Sequence, residues 1–273
     1  MALQALISDI DGTLIDTIQV IERGMYGAAS QHLIEVGVLA DDMPTFEQYR
    51  TQLLTVIGGR VRETLESTNR LIFNDRPDVL ELLDFDRMTE IMKPIQEELA
   101  LSHVKAYDGL DELFTHLGHG NIGLGLFTSG GPHHVVRNMV VALPQLGLHD
   151  LYDDESMSYQ QKLEFLMERI RAHYHITNLA ITTVDDVSAS KPDPECVYSI
   201  LNKLGFEANS VAALGDHIVD MQATQLAGVP VRIGITHGFD DEEVLRSQGA
   251  THIAHTLKDV VHLISQYGDS KRQ

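Results

Sequence analysis

ALISDIDGT, residues 5–13, decides how the rest of the chain is read. Ala5, Leu6 and Ile7 make a short apolar run suited to a buried strand, and Asp9 and Asp11 follow one residue apart. Two carboxylates so close repel each other, and the end of an apolar strand is a costly place for either. Gly12 then lets the chain turn away and brings backbone N–H groups within reach of a ligand. Some further group must offset the charge, and a hard cation with oxygen ligands is a fitting one.

Four more runs share the character of the first: NIGLGLFTS (121–129), LAITTVDD (179–186), NSVAALGD (209–216) and VPVRIGI (229–235). Helical periodicity separates most of them, as in Val197, Ile200, Leu201 and Leu204, with Gly205 as a stop. Strand–helix alternation predicts an α/β fold, a doubly wound parallel sheet with a Rossmann-like core. Residues 17–103 break that alternation. Ile18, Ile21, Met25, Ala28, Ala29 and Leu33 recur at helical spacing, as do Phe46, Tyr49, Leu53 and Val56, and again Met88, Ile91, Met92, Ile95 and Leu99. Pro94 is expected to kink or interrupt the last of these. The expected organisation is an α/β core of residues 1–16 and 104–273 and an inserted all-helical cap of residues 17–103.

In an open parallel sheet, ligands bind outside the carboxyl ends of the strands. Asp9, Thr128, Asp186 and Asp216 each end or follow a separate strand, so four strands would deliver acids and hydroxyls to one crevice. Singly, each reads as a helix cap; together with Lys191 they point to phosphoryl transfer with Mg2+. Asp9 is placed to attack phosphorus and form an aspartyl-phosphate. Asp11, two residues on, points the same way from an extended backbone and serves as general acid and base. The cation would lie between Asp9 and Asp216. Ser129 and Gly130, with Gly131 and the helix that starts at Pro132, form a phosphate cradle of free N–H groups. Gly12 and Thr13 join the phosphate-binding set. Lys191, followed by Pro192 and Pro194, which hold its loop stiff, supplies a compact positive charge. A calcium loop would need further acids at alternate positions, which DIDGTLIDT lacks. His133 and His134 read as solvated residues at a helix start.

The chain has 273 residues, 43% of them hydrophobic, and a formal net charge of -20. An acidic surface argues against nucleic acid and against anionic membranes as partners. Cys196 is the only cysteine, which excludes an intramolecular disulfide. No basic leader and no run of membrane-spanning length is present, so a cytoplasmic protein is expected, monomer or homodimer, acting on a small phosphorylated metabolite.

DIDGT, LFTS, SKPDP and GDHIVD occur in the order of the four motifs of the haloacid dehalogenase-like hydrolase superfamily, and the chain resembles its phosphoglycolate phosphatase-like branch with a small helical cap. The resemblance implies Asp9 as nucleophile, Asp11 as acid/base, and Thr128 and Lys191 on the phosphate. It implies magnesium on Asp9, the Asp11 backbone carbonyl and Asp216, with Asp220 in support. Two departures stand out. Ser-Gly-Gly follows Thr128 where many relatives have Asn. The stretch from Thr128 to Lys191 is long, and Leu163, Leu166, Met167, Ile170 and Tyr174 mark an extra helix within it. That helix is expected to pack on its own core, with a sheet edge or a partner subunit as alternatives. The expected activity is a Mg2+-dependent phosphatase. A phosphomutase or a non-catalytic regulator on the same scaffold are the rivals; a dehalogenase would lack Asp11. In VIGGRVRETLE, Gly58 and Gly59 break a helical pattern, and Gly59 and Arg60 are candidates for gripping the part of the substrate that does not react.

Overall fold

The computed structural model describes residues 3–268. Its chain divides into two compact units, one of residues 1–16 and 105–273, the other of Thr17–Val104.

The first unit is built on a parallel sheet. Its strands are β1 (Ala5–Ser8), the short β2 (Ile15–Asp16) and, after the second unit, β3 (Lys105–Ala106), β4 (Gly123–Phe127), β5 (Leu179–Thr182), β6 (Val211–Gly215), β7 (Val231–Ile235) and β8 (His252–Ala254). Six of them form the main sheet in the order β5-β4-β1-β6-β7-β8, all neighbours parallel. β1 sits in the middle with β4 on one side and β6 on the other, so the chain winds outward in both directions from it. The order therefore reverses at β1, which is where a doubly wound sheet opens its crevice. β1, β4, β5 and β6 are buried along their whole length. A strand covered on both faces carries apolar residues without alternation. β2 and β3 pair antiparallel, Ile15 with Ala106 and Asp16 with Lys105.

The second unit is all helix: α1 (Ile18–Glu35), α2 (Phe46–Leu53), α3 (Val61–Ile72), α4 (Pro77–Leu80) and α5 (Phe85–His103). Met25, Ala28, Ala29 and Leu33 of α1 and Met88, Ile91 and Met92 of α5 are buried. Thr45 opens α2 with a reciprocal capping box to Gln48, and the Asp84 carboxylate accepts the Arg87 N–H at the start of α5. Of the kink or interruption expected at Pro94, the interruption is absent: α5 runs unbroken from Phe85 to His103. Pro94 and Glu90, whose carbonyl loses its helical partner, are both exposed, so that carbonyl is open to solvent.

The remaining helices belong to the first unit: α6 (Leu110–His119), α7 (Pro132–Ala142), α8 (Tyr159–Tyr174), α9 (Glu195–Leu204), α10 (Ile218–Leu226), α11 (Glu242–Ser247) and α12 (Leu257–Gly268). Val197, Ile200, Leu201 and Leu204 of α9 lie in one apolar cluster with Ala5 and Ile7 of β1, and Gly205 ends the helix at φ +74°. The extra helix is α8. Its Leu163, Leu166, Ile170 and Tyr174 are buried, and Phe114 and Tyr174 meet edge to face. No helix among the described residues is long and apolar enough to cross a membrane.

Candidate active site

The crevice is assembled at the ends of β1 and β6. The Asp9 N–H continues the ladder by donating to the Leu214 carbonyl at 3.0 Å, so Asp9 is held as rigidly as the strand before it. A tight turn follows: Leu14 and Ile15 N–H donate to the Ile10 carbonyl, and Gly12 N–H to that of Ile15. Gly12 has φ +84°, and a Cβ there would run into the Asp216 carboxylate. No other residue meets both conditions.

Three acids come together. Asp9, Asp216 and Asp220 each offer an oxygen within 4.8 Å of the others, and all three are buried. Lys191 lies among them, also buried, donating to Asp9 Oδ1 at 2.6 Å and to Asp220 Oδ1 at 2.7 Å. Its Nζ sits 5.0 Å from the centre of the Phe127 ring. The Thr13 hydroxyl donates to Asp216 Oδ1, with Asp9 Oδ2 at 3.4 Å, and the Phe239 N–H donates to Asp216 Oδ2 at 2.9 Å. Three carboxylates against one ammonium leave surplus negative charge in a place shut off from water.

The titration behaviour reflects that surplus. Burial pushes Asp9 well above the usual carboxylate range; Lys191 opposes this, and Asp220, Asp216 and Asp11 add to it. Burial, with the charge of Asp220, pushes Asp216 up to about 7 against the stabilising donors Thr13 and Phe239. Burial would lower the pKa of Lys191, but Asp220 and Asp9 outweigh it and hold the ammonium charged. Cohering oxygen ligands of surplus charge are what a hard divalent cation requires, so Asp9, Asp216 and Asp220 fit magnesium.

Asp11 stands apart from this trio. Its Oδ2 accepts from Thr128 Oγ1 at 3.2 Å and its Oδ1 from Asn138 Nδ2 at 2.9 Å. The two side chains of one Asp-x-Asp stretch thus have separate partners. Thr128 follows β4 and also accepts the Gly130 N–H at 2.9 Å. Ser129 and Gly130 are half-buried, and after Gly131 at the N-cap position α7 begins with Pro132. A Cβ at Gly130 would touch Thr128 Oγ1 at 3.3 Å, so the backbone there is in close contact with the site.

One expectation about strand-end groups is altered. Asp186 does not join the crevice. Its carboxylate accepts from the Thr183 N–H at 2.7 Å and from Lys203 at 2.9 Å, capping its own turn. Asn138 was not anticipated. It is buried on α7 next to buried Arg137, in an otherwise apolar stretch, VVRNMVV. Two polar residues in a buried helix are a sequence signal, but nothing in it names Asp11 as the partner. Gly59 and Arg60 belong to the helical unit; Arg60 is half-buried and forms the N-cap position of α3.

Acids clustered at the switch point of a doubly wound sheet, beside a helix N-terminus, define the Rossmann-like class of anion-handling α/β proteins. Residues 3–228 match the haloacid dehalogenase-like hydrolase family, and the chain belongs to it. It is 34% identical over 80 residues to phosphoglycolate phosphatase from Pectobacterium atrosepticum, a match covering 29% of this chain and 34% of that protein. The chain thus spans about a third of that relative's length in the match. Over nearly the whole length of both chains, 95% of each, it is 22% identical to pyrophosphatase PpaX from Bacillus velezensis. A hydrolase from Pseudomonas syringae shares the fold, with a TM-score of 0.69, 22% identity and coverage of 96% of this chain and 98% of that one.

Proposed function

We propose that the protein is a magnesium-dependent phosphatase that hydrolyses a small phosphate monoester through a phosphorylated Asp9. The observation that carries this reading is the division of labour between Asp9 and Asp11. Asp9 shares Lys191 with the buried acid trio, whereas Asp11 is held by neutral donors on β4's end and α7. One carboxylate is positioned to attack and the other to move a proton.

Asp9 Oδ2, the oxygen not held by Lys191, is the attacking atom. Lys191, charged and compact, neutralises the carboxylate and then the phosphoryl oxygens. Thr128, Ser129 and Gly130, with Gly12 and Thr13, are assigned to the phosphate, aided by the N-terminus of α7; the Gly130 N–H also donates to Thr128 Oγ1 and the Gly12 N–H to the Ile15 carbonyl. Asp11 protonates the departing oxygen, then takes a proton from the water that attacks phospho-Asp9. Thr128 and Asn138 fix its orientation for both steps. Asp9, the Asp11 backbone carbonyl and Asp216, with Asp220 in support, would hold magnesium, which would supply charge neutralisation between enzyme and phosphate. Gly59 and Arg60 are assigned to substrate choice, the guanidinium pairing with an anionic group remote from the reacting phosphate. The acidic composition and the phosphatases among its relatives support a cytoplasmic enzyme of small metabolites.

Release of inorganic phosphate from a panel of phosphorylated metabolites, with magnesium and with chelator, tests the proposal. Release that needs magnesium and disappears in Asp9→Asn is expected. No release from any ester, or equal release in chelator, would sink it.

A further inference from the structure

The strip of aromatic rings beside the cradle has no part in the chemistry above, and from it we infer that the core unit itself selects esters whose organic part is a ring. The inference rests on the phosphatase reading. His134, His133 and Tyr159 would pack against a sugar or a nucleoside in preference to a short open-chain group.

α8 is what brings the third ring to this place. α7 starts at the carboxyl end of β4 and runs away from the crevice. α8 precedes β5, which is parallel to β4, so its last turn lies at the opposite end of the sheet. Its 16 residues span about 24 Å. Residues 143–158 therefore carry the chain back up, and α8 begins beside the start of α7. The ring contacts agree with this: His133 lies 3.8 Å from His134 and 5.7 Å from Tyr159, centre to centre. A Cβ on Gly130 would meet His134 Cβ at 3.4 Å and Asp11 Oδ2 at 3.8 Å. The strip thus starts at the acid/base carboxylate and leads outward.

Tyr159 is held without being covered. Ser158 fixes the start of α8 with a capping box to Gln161. Lys162 is buried, donates to the Tyr152 carbonyl, and sits 4.9 Å from the centre of the Tyr159 ring. Tyr159 is nevertheless 41% exposed. Leu163, Leu166, Ile170 and Tyr174 account for the packing of α8, and Tyr159 is not needed for it. Tyr152 also lies 6.0 Å from Tyr159, centre to centre, and a ring held by several neighbours while still part-exposed loses little freedom when it binds a flat or C–H-rich partner.

The test measures kcat/KM with magnesium for glucose 6-phosphate, adenosine 5′-monophosphate and 2-phosphoglycolate. The parent should favour at least one ring-bearing ester over phosphoglycolate. Tyr159→Ala should reduce that preference by about tenfold, chiefly through KM, the upper range for one ring contact. Tyr159→Phe should retain it to within about twofold, because stacking needs the ring and not the hydroxyl. His133→Ala, which leaves the Lys162 contact in place, should follow Tyr159→Ala. Loss on the sugar ester alone or on the nucleotide alone tells which ring the strip accepts. A parent that prefers phosphoglycolate, or a preference unmoved by both alanine variants, overturns this inference and leaves the phosphatase standing. If no ester is hydrolysed, both fall.

Discussion

Replacing Asp216 by asparagine should make the metal-free protein more stable, and increasingly so as pH rises. Asp216 is buried, and its pKa in the folded chain is about 7, against an ordinary value of 3.8. A raised folded pKa means that the protonated form is the one folding prefers. Its stability is fully present below about 3.8, declines as pH rises, and is fully lost above about 7. The gap of about three pK units corresponds to about 4 kcal/mol at pH 8 and about 2 kcal/mol at pH 5.5. Asparagine removes that charge. Its amide oxygen can take the Phe239 N–H, and its NH2 can turn to Thr13, whose hydroxyl is free to donate to Asp9 instead. The rearranged bonds cost about 1 kcal/mol. Asp216→Asn should therefore gain about 3 kcal/mol at pH 8 and about 1 kcal/mol at pH 5.5, or roughly 6–12 °C and 2–4 °C in Tm. Thermal unfolding in chelator, followed by circular dichroism at the two pH values, measures this. Saturating magnesium should then raise the parent, by about 2.7 kcal/mol at a hundredfold excess over Kd, and leave the variant almost unmoved. A variant no more stable than the parent at pH 8, or a difference that does not grow with pH, would refute the idea of surplus charge awaiting a cation.

Asp9→Asn should lower turnover by at least ~10³-fold, about 4 kcal/mol of activation free energy, in a steady-state phosphate-release assay on a protein that still folds. Lys191→Arg should also cost activity, because a planar guanidinium does not fit where one compact ammonium meets both Asp9 and Asp220; turnover equal to the parent's would dispose of that argument. Asn138→Leu, which leaves Asp11 with Thr128 alone, should lower kcat about tenfold with KM little changed; a change in KM only would mean that Asn138 does not orient Asp11. Arg60→Ala should raise KM for the natural substrate by roughly 1.5–3 kcal/mol and spare a small aryl phosphate that lacks a second anionic group. Equal effects on both esters would remove Arg60 from substrate choice.

Much of this protein is determined by local sequence. The β1 run Ala5–Ser8 and the α9 face from Val197 to Leu204 announce themselves through periodicity, because burying a strand or a helix face imposes a spacing. Gly12 is equally legible, since the turn after Asp9 needs positive φ. Short elements were harder. β8 has three residues and the β2–β3 pair two each, too few for any pattern to show. The assembly of the site was settled only in three dimensions. Asp9 and Asp220 are far apart in the chain and meet because β1 and β6 are neighbours in the sheet, and Lys191 reaches both from the segment between β5 and α9. Asp186, like Asp9, is an aspartate just past a strand, yet it turns to the Thr183 N–H and Lys203. Asn138 carries no motif and still holds Asp11. A carboxylate takes the nearest adequate donor: for Asp186 that is Thr183, three residues back, whereas for Asp9 and Asp11 the donors come from distant parts of the chain and depend on how strands and helices are ordered.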